Sequence, residues 1–358
     1  MSGQSERLNW VDTAKGMSII LVVMMYSVFN VGQDAEGVGL FHYIIAFSTP
    51  FRMPEFFLLS GLFLGHVIAR PWRAFADRRV VHYFYFYAMW AAIHIVLKIG
   101  IMSVDPAGAA VALLWAVIEP YGVLWFIYLL AAYSFAAKAL HELRVPRWLV
   151  LAAAALLQML PIHTGSYLVD QFAEYFVYFY AGYVFAPMIF RAVELALERL
   201  ALTTLALAVY VAINAALVFS PGYAVLPNHI QMGLAALPGL HLALALAGSL
   251  ALCVTAALLT RLPFMGWLRW LGEHSLVVYL VFVLPMSFAR IALGRIGLLG
   301  DVTLASFIVI VTSILASLAL YLLVERTGRG KFLFERPAWA HLPGTRGRRT
   351  AAATLPAE

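Results

Sequence analysis

Long apolar stretches separated by short polar links dominate the chain. A membrane-crossing helix needs about 20 mostly apolar residues, and ten stretches approach that length. Several are short for a straight crossing, so we expect tilted or broken helices. The pattern has no run of alternating polar and apolar positions of the kind found in outer-membrane barrels. It predicts an all-α, polytopic membrane protein with about ten transmembrane helices. The predicted spans are Met17–Val31, Met53–Ala69, Val80–Ile101, Gly122–Lys138, Trp148–Pro161, Phe172–Phe190, Leu200–Phe219, Gly239–Thr260, His274–Leu293 and Thr303–Val324.

Composition supports the same class. Of the 358 residues, 63% are hydrophobic and 12% are charged, whereas a soluble domain has roughly 45–50% apolar and about 25% charged residues. These values exclude a soluble domain, a chain that is disordered over its bulk and a typical nucleic-acid-binding protein. The single cysteine, Cys253, lies in an apolar run, so neither a disulfide framework nor a cysteine metal site is expected. We expect no metal and no tightly bound cofactor.

The positive charges are distributed asymmetrically. Most of the 24 lysines and arginines fall before the first span, in every second link and in the tail. Because short translocated loops contain few cations, this pattern predicts both termini in the cytoplasm. We divide the chain into an N-terminal cytoplasmic tail (1–9), a membrane domain (10–325) and a basic cytoplasmic tail (326–358). The basic part of that tail is expected to rest on anionic lipids, and its end is expected to be disordered.

Ionisable residues near or within the spans are the first functional candidates, because they are costly in a membrane. Asp12 and Lys15 are three residues apart at the start of the first span, so they are able to pair on one helix face. Tyr26 follows Lys15 by eleven residues, which places it about 16 Å further along the same face. An interfacial ion pair with an interfacial aromatic residue is an equally good interpretation of this group.

A second candidate group is located at the start of the second span. Pro50 and Pro54 forbid a continuous helix there, and Arg52 and Glu55 stand beside the break, close enough to pair. The anionic form of Glu55 is favoured near a helix N-terminus. The pair either fixes the entry of the chain into the membrane or faces a polar cavity, where irregular backbone is tolerated.

Four arginines crowd the link between the second and third spans: Arg70, Arg73, Arg78 and Arg79. Guanidinium groups suit phosphates, so this link could bind a nucleotide or the phosphates of coenzyme A. The positive-inside rule predicts cations here as well. The two interpretations carry about equal weight.

Five segments, in the same order along the chain, resemble the membrane acyltransferase-3 family. They are Trp10–Val23, Phe51–Gly61, Leu124–Phe126, Phe179–Tyr183 and Leu271–Tyr279. The resemblance extends over roughly residues 8 to 325. It implies an enzyme that moves an acyl group, often acetyl, from cytoplasmic acyl-CoA to a hydroxyl of an envelope glycan, glycolipid or similar acceptor. The partners it implies are acyl-CoA, that acceptor and membrane lipids, and no nucleic acid.

The resemblance also assigns residues. The basic residue of the family's first helix corresponds to Lys15, which with the arginines of the link would hold the CoA phosphates. The histidine usually found eleven residues later, a general base, is replaced here by Tyr26. Asp12, Trp125, Ser275 and Tyr279 would support the site.

The replacement of that histidine leaves the identity of the base open. An acceptor hydroxyl must lose its proton as it attacks the thioester, and tyrosine, with an ordinary pKa near 10, is a poor base at about pH 7. Glu55, supported by Arg52, is our leading choice, with Tyr26 orienting the acceptor or stabilising the oxyanion. The other possibilities are His42 as base, or a deprotonated Tyr26. A protein that has lost catalysis and acts as a transporter or flippase of a lipid-linked or small anionic molecule is the alternative.

Overall fold

The described part of the protein is almost entirely helical. The computed structural model describes the backbone of residues 2–345 and the side chains of residues 9–345. Within that range the one sheet is a hairpin in which β1 (Ala224–Leu226) pairs antiparallel with β2 (His229–Gln231). The predicted all-α class is therefore confirmed. The end of the tail that we predicted to be disordered, 351–358, and most side chains of the predicted N-terminal tail lie outside the described residues.

Sixteen α-helices make up this described range. The first three are α1 (Ser2–Ala35), α2 (Leu40–Ser48) and α3 (Arg52–Gly61). The next five are α4 (Gly65–Ile68), α5 (Trp72–Ala76), α6 (His82–Ile95), α7 (Pro106–Trp115) and α8 (Trp125–Glu142). The last eight are α9 (Arg147–Met159), α10 (Tyr167–Glu198), α11 (Leu200–Val218), α12 (Pro238–Leu259), α13 (Gly266–Glu273), α14 (Ser275–Val281), α15 (Val283–Arg295) and α16 (Val302–Thr327).

The chain folds into two compact units. The first unit contains the chain up to Phe63 together with Pro146–Gly165 and Val169–Leu323. The second unit contains Leu64–Val145, Ser166–Leu168 and the chain from Val324 onwards. Each unit therefore combines segments that are distant in sequence.

The predicted count of about ten spans is not confirmed. Seven helical segments in the described residues are long and apolar enough to cross a membrane, and the bent pair formed by α14 and α15 would make eight. Two predicted spans are shorter helices instead. Met53–Ala69 is divided into α3 and α4, and Trp148–Pro161 corresponds to the short helix α9. The apolar pattern located both segments, but it does not register where the backbone turns, as it does between α3 and α4.

Prolines explain the break before α3. The chain leaves α2 at Ser48 and turns through Pro50 before α3 begins at Arg52. Pro54 lies in the first turn of α3, where a backbone N–H would have no partner within the helix. This geometry starts a new helix at Arg52, so that Arg52 and Glu55 both occupy its first turn.

Glycines set the closest helix contacts of the first unit. Gly16 of α1 lies against the carbonyl of Leu268 on α13, and Gly272 of α13 lies against the carbonyl of Asp12 on α1. Because lipid provides little hydrophobic drive for association, membrane helices depend on such close packing of small residues. The crossing of α3 with α10 uses the same device, since Gly61 and Gly182 each touch the backbone of the other helix.

In the second unit a buried carboxylate holds the described part of the tail. Asp77, in a π-helical turn between α5 and α6, accepts a 2.7 Å hydrogen bond from Arg336 and a 2.8 Å bond from the backbone N–H of Leu342. His341 Nδ1 lies 3.2 Å from the same carboxylate. On α6, Trp90 donates to the carbonyl of Leu333 at 3.0 Å. The tail up to residue 345 thus packs on protein through a buried charge pair.

The glycine contacts predict a specific sensitivity to added volume. In Gly272→Ala the new methyl group would overlap the carbonyl oxygen of Asp12, so α1 and α13 must separate. Overpacking of this kind costs about 1–3 kcal/mol, and we expect a melting temperature several degrees lower in detergent.

Gly266→Ala is the matched control, because it lies on the same helix and has open space around its Cα. We expect this variant to melt like the unmodified protein. Equal melting temperatures for the two alanine variants would contradict the close contact between α1 and α13.

Candidate active site

A buried carboxylate marks the candidate site in the first unit. Glu55, in the first turn of α3, is fully buried, and its Oε2 is hydrogen-bonded to the hydroxyl of Ser18 on α1. Its other oxygen, Oε1, has no hydrogen-bond partner among the described residues. The thiol of Cys253, on α12, lies within electrostatic range of the carboxyl group. Glu55 therefore retains one free oxygen for an incoming proton donor.

The Ser18 hydroxyl has two possible acceptors but one proton. Its oxygen lies 2.8 Å from the carbonyl of Ala14, one turn back on α1, as well as next to Glu55. When Glu55 is ionised, Ser18 donates to the carboxylate. When Glu55 is protonated, the carboxyl group donates to Ser18, and Ser18 donates to Ala14. Both protonation states of Glu55 are thus satisfied by a rotation of one hydroxyl, which suits a group that gains and loses a proton.

The expected pair between Arg52 and Glu55 is not formed. Arg52 is 6% exposed and donates from Nη2 to the sulfur of Met25 at 2.8 Å, whereas Glu55 contacts Ser18. Met25 and Ser18 lie seven residues apart on one face of α1, which corresponds to about 10 Å along the helix axis. The two side chains diverge because each follows its own partner on α1. Our prediction that Arg52 supports the carboxylate directly is therefore wrong.

Tyr26 lies beside the bend of another helix. Its half-buried ring packs at 5.7 Å from that of Phe282, the residue at which α14 gives way to α15 with a change of direction of 53°. The Tyr26 phenol also lies within electrostatic range of the Arg52 guanidinium. Arg52 therefore approaches α1 near Tyr26, whereas Glu55 approaches α1 nearer the N-terminus of that helix.

The predicted pair at the start of α1 is present. Lys15 Nζ lies 3.0 Å from Asp12 Oδ1, and the Lys15 side chain is 36% exposed. Exposed pairs of this type are weak, so the ammonium group remains available to exchange its partner. Along about 16 Å of α1 come first Lys15, then the contact of Glu55 with Ser18, and then Tyr26. These groups do not converge on one point.

His42, the other candidate base, is already fully engaged. The side chain is buried; Nδ1 accepts the backbone N–H of Gly39 at 3.1 Å, and Nε2 donates to the carbonyl of Pro227 at 3.0 Å. Burial lowers the pKa of His42, and the two backbone contacts partly oppose that shift. The neutral ring links α2 to the turn of the β-hairpin. Neither ring nitrogen is left to take a proton from an acyl acceptor.

The remaining predicted residues are divided between the units. Ser275 and Tyr279 are buried on α14, which packs against α1 in the first unit. Trp125 belongs to the second unit, where its buried ring meets the ring of Tyr167 edge-on at 6.1 Å. These three side chains are buried, each within its own unit.

The arginine cluster also belongs to the second unit. Among the described residues, none of Arg70, Arg73, Arg78 and Arg79 forms an ion pair; Arg79 donates to the hydroxyl of Tyr83 at 3.2 Å. Asp77, the carboxylate that lies among these arginines in the sequence, forms its ion pair with Arg336. The four guanidinium groups therefore have no carboxylate partner among the described residues.

Sequence reasoning missed Ser18 and Met25, the residues of α1 that receive Glu55 and Arg52. A serine within a membrane helix usually bonds to its own backbone, and Ser18 does so as well. Their spacing of seven residues, which puts both on one face, was the available signal. In the described residues no group of three or more histidine, cysteine and acidic side chains is arranged to hold a metal ion.

Comparison with known proteins gives one match. A family model described as an acyltransferase domain (Acyl_transf_3) matches residues 8–322. That range includes all five segments from which we inferred the resemblance. No curated protein and no solved structure matches the chain.

The neutral state of His42 predicts a dependence of stability on pH. Because burial keeps its pKa below the ordinary value of about 6.5, the unfolded chain takes up the proton first as the pH falls. Stability is therefore fully present above about pH 6.5 and decreases below it. We expect the melting temperature to fall between about pH 6.5 and 5.

The variant His42→Gln should lose part of this pH dependence, because glutamine does not titrate. His229→Gln is the control, since His229 is exposed in the same unit. If the melting temperatures of the three proteins fall in parallel with pH, the assignment to His42 is wrong.

Proposed function

Because the chain belongs to the acyltransferase-3 family and is a membrane acyltransferase, we propose that it transfers an acyl group, acetyl in the first instance, from cytoplasmic acyl-CoA to a hydroxyl of an envelope glycan, glycolipid or similar acceptor. The proposal includes a bacterial inner membrane with both termini in the cytoplasm. The observation that carries it is the buried Glu55 carboxyl group, which has one oxygen on Ser18 and one oxygen free. No tightly bound cofactor is part of the proposal.

In the proposed reaction Glu55 is the general base. Its carboxylate takes the proton from the acceptor hydroxyl as the oxygen attacks the thioester carbonyl. The new C–O bond gives a tetrahedral adduct, and the hydroxyl of Tyr26 donates a hydrogen bond to its oxyanion. The C–S bond then breaks, and the proton held by Glu55 passes to the thiolate of coenzyme A. The products are the acylated acceptor and free coenzyme A.

The donor would be held by cations. Lys15 of the first unit, in its exchangeable pair with Asp12, is proposed to bind a phosphate of CoA. The arginine cluster of the second unit is proposed, separately, for the same role. Support comes from the guanidinium groups of that cluster, which form no ion pair among the described residues. Ser275 and Tyr279 would support α1 from α14.

One observation favours a second candidate function, transport of a lipid-linked or small anionic molecule. The family's usual histidine is replaced by Tyr26, which is a weak base. A transporter would need the polar residues along α1 but neither a base nor coenzyme A. The two candidates therefore differ in whether free coenzyme A is released.

The base assignment predicts a large kinetic effect. Glu55→Gln retains the shape of the side chain but removes the base, so we expect kcat for transfer of labelled acetyl from acetyl-CoA to envelope glycans to fall roughly 100-fold or more. Ser18→Ala removes one hydrogen bond to Glu55 and should reduce kcat about tenfold with little change in KM for acetyl-CoA.

Glu36→Gln is the matched control, because Glu36 is exposed at the end of α1 in the same unit. It should transfer acetyl at the unmodified rate. Undiminished transfer by a correctly folded Glu55→Gln variant would remove Glu55 from the mechanism.

Substitutions of Tyr26 distinguish the two functions. For an acyltransferase, Tyr26→Phe removes the oxyanion donor and should lower kcat roughly 100-fold, while Tyr26→His provides a donor and a base and should keep or raise the rate. Release of free coenzyme A thiol is the measurement. A transporter would release no thiol in any of the three proteins, and that result would contradict the proposed enzyme.

A further inference from the structure

Arg52 is a buried cation that the described protein leaves largely unpaired. Two of its three guanidinium nitrogens, Nε and Nη1, are buried and have no hydrogen-bond partner among the described residues. The third, Nη2, donates to the thioether of Met25. Sulfur of this type is a weak acceptor and carries no charge, so it does not neutralise the arginine.

The neighbouring carboxylates have other partners. Glu55 is hydrogen-bonded to Ser18, and no ion pair joins it to Arg52 in the described residues. Glu174, on α10, is hydrogen-bonded to Tyr175 and lies 3.5 Å from the side-chain nitrogen of Gln171. The ring of Tyr175 in turn stacks on that of Phe57 at 5.3 Å. Glu55, on the same helix as Arg52, and Glu174, on α10, thus each have partners other than the guanidinium.

Such an arrangement is unfavourable unless something else binds the charge. Arginine stays protonated in proteins, and a buried charge that lacks a hydrogen-bonded counter-charge is strongly destabilising. The polar groups that interact electrostatically with the guanidinium are the phenols of Tyr175 and Tyr26, which are uncharged at neutral pH. A buried cation that contacts no counter-charge is complementary to an oxyanion.

We propose that Arg52 is the receptor for an anionic oxygen group, a carboxylate or a phosphate, on the acyl acceptor. This inference rests on the proposed function, because it assigns the anion to that reaction's acceptor. The two free nitrogens are able to form two hydrogen bonds to one such group, as arginine does with carboxylates and phosphates. The acceptor is therefore an acidic sugar or a phosphate-linked lipid, not a neutral glycan.

Position along α1 favours the acceptor over the acyl donor as the source of this anion. Arg52 contacts α1 at Met25, ten residues and about 15 Å beyond Lys15, which we assign to the CoA phosphates. Glu55, the proposed base, reaches α1 between these two levels, at Ser18. The acceptor hydroxyl would thus meet the thioester near Glu55 while its anionic group reaches Arg52 on the side away from Lys15.

The first test measures the cost of the unpaired charge in the absence of any ligand. Arg52→Met replaces the guanidinium with an apolar chain of similar length, and we expect the purified protein to melt at the same or a higher temperature. A melting temperature several degrees lower would show that the charge is compensated within the protein and would overturn the proposal. Glu174→Gln removes the carboxylate that is bonded to Tyr175 and should leave the effect of Arg52→Met unchanged.

The second test measures anion binding in nanodiscs of phosphatidylcholine, without acyl-CoA. Glucuronate is compared with glucose, and farnesyl phosphate with farnesol, at matched ionic strength. At least one anionic probe should raise the melting temperature above its neutral partner; glucuronate would identify a soluble acidic sugar, and farnesyl phosphate a lipid-borne phosphate. The shift should be lost in Arg52→Met and Arg52→Gln but kept in Arg295→Gln, an exposed arginine of the same unit.

This binding measurement is independent of the proposed chemistry. Glu55→Gln should retain the anion-dependent shift even when transfer is lost. If Glu55→Gln transfers acetyl normally but the shift depends on Arg52, the base assignment fails and the anion site stands. If neither anionic probe differs from its neutral partner, or if the shift persists in Arg52→Met, the anion site is wrong whatever the activity.

Discussion

Backbone contact at glycine residues is the constraint on which the first unit depends. Helices in a membrane gain little from burying apolar side chains against one another, since lipid is equally apolar. At Gly16 and Gly272 the backbones of α1 and α13 touch, and at Gly61 and Gly182 those of α3 and α10 touch. These contacts fix α1 and α3, the two helices that carry the polar residues of the site. A shift of either helix would alter which residue of α1 faces each residue of α3.

The polar contacts between those two helices follow from this packing. Glu55 and Arg52 lie in the same short turn, yet they engage α1 at positions two turns apart, because the chain enters α3 through a proline break. Direct pairing would have neutralised both charges and left a merely structural salt bridge. Their separation leaves a buried carboxyl group with one free oxygen at one position along α1 and a guanidinium with two unbonded nitrogens at another.

The second unit also buries a charged side chain, but there the charge is paired. Asp77 lies among arginines in the sequence, but it is neutralised by Arg336 from the far end of the chain. A buried, hydrogen-bonded pair of this kind holds the described part of the tail on α6. The remaining arginines of the link form no ion pair among the described residues, and Arg79 donates to the hydroxyl of Tyr83. The contact that neutralises Asp77 thus joins residues 259 positions apart.

The sequence by itself determined the membrane class, the location of the apolar segments, the acyltransferase-3 resemblance and the pair of Asp12 with Lys15, because each depends on composition, order or spacing within one helix. It also marked Glu55 and Arg52 through the prolines beside them. Only the tertiary structure decided how many segments are long enough to cross, that Arg52 meets Met25 instead of Glu55, and that His42 is locked between two backbone groups. Those outcomes depend on which helices are in contact and on how far each is shifted along its axis relative to the other. Periodicity within one segment of the chain carries no information about that shift.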